Sequence, residues 1–243
     1  MIVDGSVRFF SEHGLDGQLR DLARGLGITH TLMYHYFPTK QALIERVYAE
    51  LFEGRWRPEW ERLLDDKTLD VQTKLTRFYT DYARVILERD WVRIFIFSGM
   101  SDRFITERYF AMLKKTLFPR LLRESRAYRG LALRGKPDAR ELELLMGLHG
   151  GIFYMGIRRW VYGHAEAGGL VAPDSDTAAW NEGSISDRVC SYLLSLDQVL
   201  AMPPAEAGKN GRSKAANADN ARLGKPARRR SPPTNESASW PIH

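Results

Sequence analysis

Two stretches near the end of the chain carry apolar side chains around almost the whole circumference of a helix. Residues 137–162 and 184–200 are rich in Leu, Ile, Val, Met, Phe, Tyr and Trp on every side of the helical wheel. A helix that is apolar on all sides has to be covered on all sides. In a chain of 243 residues, the simplest cover is a second copy, which builds a two-fold four-helix interface. The pattern therefore predicts a helical protein that forms a homodimer.

The segment before these stretches also has the period of helices rather than strands. Leu75, Tyr79, Tyr82 and Ile86 recur at steps of three and four residues, which places them on one helical face. Residues 91–97 are apolar enough for a buried strand, but no partner strand is evident elsewhere in the sequence. We therefore expect an all-α fold.

Residues that cap or interrupt helices predict where some of these elements begin. Asp102 is a candidate cap, and Pro119 is expected to kink the helix that follows it. Pro137 suits a first helical position, and Ser184 and Asp187 have the spacing of a capping box. These signals predict one kinked helix to about residue 126, a second from Pro137 and a third from Ser184.

The net charge of the chain is concentrated at one end. The chain has 36 Lys and Arg against 30 Asp and Glu, a net charge of +6. Residues 201–243 contain eight basic and three acidic residues and no periodic apolar face, so we expect a disordered basic tail there. The first 200 residues carry only +1. The basic composition is therefore weak evidence for nucleic-acid binding by the folded part.

Motifs of several enzyme, secreted and membrane classes are missing from the sequence. The single cysteine, Cys190, excludes an intramolecular disulfide framework and a Cys-rich zinc site. No G-x-S-x-G, Gly-rich phosphate loop or H-E-x-x-H motif is present, so we expect no enzyme, no metal and no cofactor. No apolar stretch approaches the roughly 20 residues of a membrane span, and no signal peptide pattern is evident. We expect a cytoplasmic protein.

Residues 18–36 have the pattern of two short helices joined by a glycine turn. Residues 18–24 place apolar side chains on one face, and the Gly-Leu-Gly segment at 25–27 can supply the turn. Thr29 is the predicted N-cap of the second helix, whose buried side is expected to be Leu32, Met33 and Phe37. This arrangement predicts a helix-turn-helix, whose second helix can enter the DNA major groove.

The sequence Gly-Ile-Thr-His-Thr-Leu-Met-Tyr-His-Tyr-Phe-Pro-Thr-Lys-Gln-Ala-Leu at residues 27–43 makes the pattern more specific. It resembles the recognition helix and the start of the next helix in the TetR family of transcriptional regulators. The Phe-Ser-Glu-His-Gly segment at 10–14 is similar to the end of that family's first helix. The resemblance, which covers residues 1 to about 50, implies a helix-turn-helix DNA-binding domain at 1–50. It further implies a helical ligand-binding and dimerisation domain at 51–200, ahead of the tail at 201–243.

The resemblance implies roles for six residues of the amino-terminal domain. Tyr34 and Lys40 would contact phosphates, and the others would face the groove. The implied DNA-binding residues are Thr29, His30, Thr31, Tyr34, His35 and Lys40. The implied protein is a repressor that binds a near-palindromic operator in double-stranded DNA as a homodimer and is released by a small-molecule effector.

The helical domain supplies candidates for an effector pocket and a dimer interface. The pocket candidates are Tyr79, Tyr82, Arg93, Phe97, Phe104, Met146, His149 and Phe153. Arg93 and His149 are the polar members that could orient a ligand, while each aromatic could equally be an ordinary core residue. The interface candidates are Gly147, Gly151, Met155, Val189, Leu193 and Leu196.

An alternative function is a ligand sensor or interaction protein that keeps this fold with weak or lost DNA binding. Residues 1–50 carry five basic and six acidic residues, so their long-range attraction to DNA would be weak. The family normally has a basic segment ahead of its first helix. We therefore formulate the hypothesis that Met1 is not the native start and that a basic arm precedes it.

Overall fold

A computed structural model describes residues 1–133, 135, 137–164 and 180–202. The helices of the amino-terminal part are α1 (Ile2–His13), α2 (Leu19–Gly25), α3 (His30–Tyr36) and α4 (Lys40–Tyr48). The helices that follow are α5 (Pro58–Asp65), α6 (Val71–Ile86), α7 (Arg89–Met100), α8 (Phe104–Thr116), α9 (Phe118–Tyr128), α10 (Ala139–Trp160) and α11 (Glu182–Ala201). The all-α prediction is confirmed, and residues 91–97 lie inside α7. The predicted tail lies outside the described residues except for Ala201 and Met202, which end α11.

A five-residue π-helix, Ala49–Glu53, continues α4 without a break. Its backbone pairing has the wider i to i+5 step, because Gly54 donates its N–H to the carbonyl of Ala49 at 2.8 Å. Leu51 and Phe52 are buried within this turn. The segment therefore leads the chain from the amino-terminal helices into the remaining helices.

Polar side chains fix the starts of several helices. Asp70 accepts from the N–H of Thr73 at the start of α6 at 2.9 Å. Asp138 and Glu141 form a capping box at the start of α10. Asn181 accepts from two backbone N–H groups at the start of α11. These caps satisfy N–H groups that have no partner inside the helix.

Three predicted helix boundaries differ from those in the structure. Pro119 does not kink one long helix, because α8 and α9 are separate helices. The proline occupies the first turn of α9, where a backbone N–H would have no partner inside the helix. Pro137 precedes the N-cap of α10 rather than starting the helix. The predicted Ser184 cap is replaced by Asn181, three residues earlier, so α11 starts before the predicted position.

The described helices pack around one continuous apolar core. The first helix, α1, packs on α7, and α7 in turn packs on α8 and α10. The last helix, α11, packs on α6 as well as on α10. Buried aromatic rings occupy the centre, where Trp91 lies 4.7 Å from Phe52 and 5.1 Å from Tyr109 between ring centres. The amino-terminal helices are thereby joined to the larger bundle mainly through α7.

Candidate functional site

The turn between α2 and α3 is built as the sequence predicts. Gly27 has a φ of 66°, which a residue without Cβ adopts readily. The N–H of Ile28 donates to the carbonyl of Ala23 at 3.0 Å and ties the turn back to α2. Thr29 then accepts from the N–H of Leu32 through Oγ1 at 3.1 Å. The predicted helix-turn-helix and its Thr29 cap are therefore confirmed.

One residue anchors α3 in the core. Within α3, all of which the structure describes, only Met33 is fully buried. Phe37 is half-buried, and the prediction that Leu32 lies on the buried side is wrong, because its side chain is 40% exposed. Adjacent helical residues point about 100° apart, so a helix of two turns that buries Met33 turns Leu32 away from the core.

The predicted groove-facing residues lie on the outer surface of α3. Thr29, His30, Thr31 and His35 are exposed, and Tyr34 is 42% exposed. The rings of His30 and Tyr34, one turn apart, meet edge to face with centres 4.6 Å apart. This contact orients the Tyr34 ring on a surface that the turn and Met33 hold in place.

Lys40 lies beside this surface at the start of the next helix. It is the first residue of α4 and is half-buried. The N-cap of α4 is Thr39, whose Oγ1 accepts from the N–H of Ala42 at 3.0 Å. A cation next to the N-terminal N–H groups of a helix is a common arrangement for contacting a phosphate.

Two exposed residues near α3 were not among the predicted contacts. Tyr36 is 60% exposed, and its ring centre lies 5.6 Å from that of His35. Arg20, in the first turn of α2, is exposed and has no ion-pair partner within the described part of the chain. The sequence could have indicated Arg20 as a candidate contact, because it is one of only five basic residues in positions 1–50.

The predicted pocket residues divide between several places in the bundle. Tyr79, Tyr82 and His149 form one buried cluster, with ring centres of Tyr82 and His149 5.5 Å apart. The hydroxyl groups of Tyr82 and Tyr109 share a hydrogen bond of 2.9 Å. Within the described residues, Tyr79 Oη and His149 Nδ1 have no hydrogen-bond partner. Burial lowers the pKa of His149 to about 4, so the imidazole is neutral at pH 7.

Four other predicted pocket residues lie away from this cluster. Arg93 donates to backbone carbonyls at the junction of α1, α7 and α10, and its guanidinium lies 5.6 Å from the Phe97 ring centre. Phe104 packs near the ring of Tyr48, at 6.1 Å. The ring of Phe153 packs against other aromatic side chains of the core. These contacts of the four residues therefore lie outside the cluster of Tyr79, Tyr82 and His149.

A cleft of about 740 Å³ opens between α7, α8, α9 and α10. Of the predicted pocket residues, Met146 lines it. Its walls also include Gly99, Arg103, Phe110, Lys114 and Phe118. Phe118 connects the cleft to the buried cluster, because its ring meets that of His149 edge to face at 5.5 Å. The volume is within the usual range for small-molecule sites, about 300–1,000 Å³.

The outer face of α10 and α11 carries two of the six predicted interface residues. Gly147 is exposed and Gly151 half-buried, and both line a groove of about 400 Å³ between the two helices. Four predicted interface residues are instead buried inside the protomer, because α6, α7 and the facing sides of α10 and α11 already cover them. These core residues are Met155, Val189, Leu193 and Leu196. Exposed apolar side chains on the outer face include Tyr154 and Leu194.

Two further properties of the described part of the chain bear on other kinds of site. None of its helices combines the length and the apolar character needed to cross a membrane. Within the same residues, His, Cys, Asp and Glu side chains form no group of three or more that could hold a metal ion.

One protein family resembles this chain in its amino-terminal part. Residues 2–47 match the family described as bacterial regulatory proteins, tetR family. No curated protein matches the chain.

Solved structures cover most of the chain at low sequence identity. One, from Mesorhizobium loti and assigned to the tetR family of transcriptional regulators, is 13% identical, covering 82% of this chain and 94% of its own, with a TM-score of 0.49. The probable transcriptional regulatory protein RHA5900 is 17% identical, covering 83% and 98%, with a TM-score of 0.49. A TetR family transcriptional regulator from Pseudomonas syringae is 19% identical, covering 79% and 90%, with a TM-score of 0.44. The observed helix-turn-helix lies within residues 2–47, the part of the chain that is similar to the family of bacterial regulatory proteins, tetR family.

Proposed function

We propose that the protein is a cytoplasmic transcriptional repressor that binds a near-palindromic operator as a homodimer and leaves it when a small-molecule effector binds. The observation that carries the proposal is the outer surface of α3, where Thr31, Tyr34 and His35 are exposed on a capped helix anchored by Met33. A helix presented in this way can enter the major groove and place side chains on base edges.

The proposed DNA contacts fall into two groups, those that position the domain on the duplex and those that read base edges. Tyr34 and Lys40 would hold phosphates and set the register of the domain on the duplex, because phosphate contacts carry no sequence information. Thr31 and His35, one turn apart on the exposed face, would read base edges together with His30. Thr29 has its hydroxyl oxygen engaged as a cap, which leaves its hydroxyl proton for a phosphate or a base.

Dimerisation would use the outer face of α10 and α11. A Cβ atom built on Gly147 would meet nothing within 4 Å beyond its own helix backbone, so this surface is open to a second chain. The exposed Leu194 and Tyr154 supply apolar area beside it. Two α3 helices would then read half-sites about 34–36 Å apart.

Effector release requires a connection from the bundle to the amino-terminal helices. The helix that makes this connection is α7, which packs on α1 at one side and on α8 and α10 at the other. An effector that binds more tightly to a bundle conformation with a different spacing of the two α3 helices lowers the affinity for the operator. The size of this decrease is limited by the difference between the effector's affinities for the two conformations.

Footprinting on the DNA upstream of the protein's own gene tests the proposal. We expect protection of a near-palindrome, with affinity that falls as salt rises.

Tyr34→Phe removes only the hydroxyl and is expected to weaken binding to all sequences about equally. Tyr128→Phe, at the end of α9, is the matched control. Thr31→Ala and His35→Ala are expected to change which bases are preferred. Absence of a protected site would contradict the proposal.

The alternative of a fold-retaining sensor or interaction protein is favoured by one observation. Residues 1–50 carry a net charge of −1, which gives little long-range attraction to DNA. This alternative predicts no salt-dependent binding to any upstream fragment, with or without added residues ahead of Met1. A specific footprint from either form of the protein would exclude it.

A further inference from the structure

The cleft between α7, α8, α9 and α10 has an apolar wall and a charged mouth. Phe118 forms its floor and is 3% exposed, with Met146 and the half-buried Phe110 beside it. The mouth runs along α8, and three exposed charged residues line it: Arg103 and Glu107 at the start of the helix and Lys114 in its last turn. A ligand that fills this cleft therefore has an apolar body and meets its charged contacts only along the mouth.

The charges at the mouth sum to one positive charge. Arg103 and Glu107, one turn apart on α8, approach each other to 3.8 Å and partly neutralise each other. Lys114 has no ion-pair partner among residues 1–133, 135, 137–164 and 180–202. A carboxylate of charge −1 at Lys114 matches this arrangement, whereas a dianion there would leave one negative charge without a partner.

The deep end of the cleft has no charge to offer a ligand. Phe118 separates it from His149, whose imidazole is buried and neutral. Met146 and His149 are one turn apart on α10, so both belong to the face of the helix that meets Phe118. A charged group placed at this end would be desolvated without a partner, so the apolar part of the ligand has to point inward.

The mouth is held by a fixed backbone corner. The α7–α8 corner turns on Ser98, which is fully buried. Its carbonyl accepts from the N–H of Arg103 at 2.9 Å, and its hydroxyl accepts from the N–H of Ile105 at 3.1 Å. These bonds hold Arg103 at a φ of 62°, a conformation that is uncommon for a residue with Cβ. The backbone position from which the Arg103 side chain leaves α8 is thereby set by the fold.

We propose that this cleft binds an amphipathic monocarboxylate, with its carboxylate at Lys114 and its apolar body against Phe110, Phe118 and Met146. This inference rests on the proposed function, since it names the chemical class of the effector. Direct binding to the protein can nevertheless be measured without DNA, so failure of this site and failure of operator binding are separate results.

Calorimetric titration of the full chain with three ten-carbon probes tests the chemistry. Decanoate, decanol and decyl phosphate share one tail and differ in head-group charge. We expect decanoate to bind several-fold more tightly than either of the others at neutral pH. Equal affinity for decanol would overturn the role of the charge, and tighter binding of decyl phosphate would overturn the preference for a single charge.

Two neighbouring lysines provide a matched pair of variants. Lys114 lines the cleft, whereas Lys115, the next residue on the exposed part of α8, does not. Lys114→Ala is expected to weaken decanoate binding about three- to fivefold, as for one exposed ion pair, and to leave decanol binding unchanged. Lys115→Ala should change neither. Equal effects of the two substitutions would show that only the general charge of α8 matters and would contradict the proposal.

A blocking variant locates the ligand. Ala111 lines the cleft and is exposed, so Ala111→Trp adds volume in the cleft without entering the core. We expect it to abolish decanoate binding while the thermal unfolding midpoint stays within a few degrees of wild type. Unchanged binding in a folded Ala111→Trp variant would place the ligand elsewhere. In a final gel-shift experiment, bound decanoate that leaves operator affinity unchanged would contradict its role as an effector.

Discussion

Arg93 donates a hydrogen bond from Nε to the backbone carbonyl of Ser11, 82 residues earlier in the chain, at 2.6 Å. The same guanidinium donates from Nη1 to the carbonyl of Trp160 at 3.2 Å. Ser11 lies in the last turn of α1, and Trp160 is the last residue of α10. One cation on α7 therefore satisfies carbonyl groups at the negative ends of two helix dipoles and links the amino-terminal helices to the bundle.

Arg93→Gln is expected to lower the free energy of unfolding by about 1–2 kcal/mol, because at least one carbonyl loses its charged donor. Hydrogen exchange at the end of α1 should become faster in the same variant. Urea unfolding and exchange measured by mass spectrometry check both effects. Arg89→Gln is the control, since the contacts of Arg89 with Ser11 Oγ and Glu12 are longer, at 3.5 and 3.8 Å. An equal loss from both substitutions would mean that Arg93 has no special position.

Thr29→Ala is expected to cost about 1 kcal/mol, because the N–H of Leu32 loses its capping oxygen. Thr29→Ser keeps the hydroxyl and should restore most of that loss. Thr31→Ala, on the exposed side of the same helix, should leave stability unchanged while it lowers operator affinity. Thermal denaturation and gel shifts on the three variants separate the cap from the reading surface. A Thr31→Ala variant as unstable as Thr29→Ala would contradict this division.

His149 is expected to make the fold sensitive to acid. Its pKa is about 4 in the folded protein and ordinarily about 6.5, so the unfolded chain binds the proton more readily. The stability contributed by the neutral imidazole is therefore complete above about pH 6.5 and is lost as the pH falls toward 4. The loss amounts to about 3 kcal/mol, at about 1.4 kcal/mol for each pKa unit.

The measurement is the free energy of unfolding against pH for wild type and His149→Phe, which keeps an aromatic ring among Tyr82 and Phe118. The difference between the two curves should change between pH 6.5 and 4 and stay constant above that range. Parallel curves for wild type and His149→Phe would show that the imidazole is not held neutral by burial.

Gly147→Leu is expected to separate the proposed dimer into monomers without unfolding them. A Cβ atom at this position meets nothing within 4 Å beyond its own helix backbone, and the exposed site leaves the rest of a leucine side chain room until a second chain approaches. Gly156→Leu is the contrasting variant, since its Cβ would lie 3.0 Å from the side chain of Val92, and it should destabilise the protomer itself. Light scattering gives the mass and thermal denaturation the stability. A Gly147→Leu protein that stays dimeric would move the interface away from this face.

The parts of the fold that depend on neighbouring residues could be predicted from the sequence. Thr29 and Gly27 act within a few residues of themselves, so the cap and the turn of the helix-turn-helix followed from their chemistry alone. The exposure of Leu32 could not, because apolar character does not say which residue of a short helix meets the core.

The features that could not be predicted depend on contacts between residues that are far apart in the sequence. The apolar character of Val189 and Leu196 predicted that they are covered, and both are, but by the protomer's own helices rather than by a second chain. Arg93 was proposed as a pocket residue because a polar group in an apolar pocket can orient a ligand, and nothing local indicates its carbonyl partners on α1 and α10. Sequence periodicity specifies how much of a helix is covered, whereas the identity of the cover is a property of the folded chain.

The π-helical turn at Ala49–Glu53 adds about one residue to a turn of an otherwise α-helical path. Removal of one residue there would restore the narrower α-helical step and rotate everything before it by about 100° relative to everything after it. Such a deletion would touch neither the surface of α3 nor the groove between α10 and α11. Because α1 packs on α7 and Phe52 is buried against Trp91, the amino-terminal helices cannot follow that rotation without losing these contacts. The extra residue of the π-helical turn therefore keeps the direction of α1–α4 matched to the core, and in the proposed dimer the separation of the two α3 surfaces depends on it.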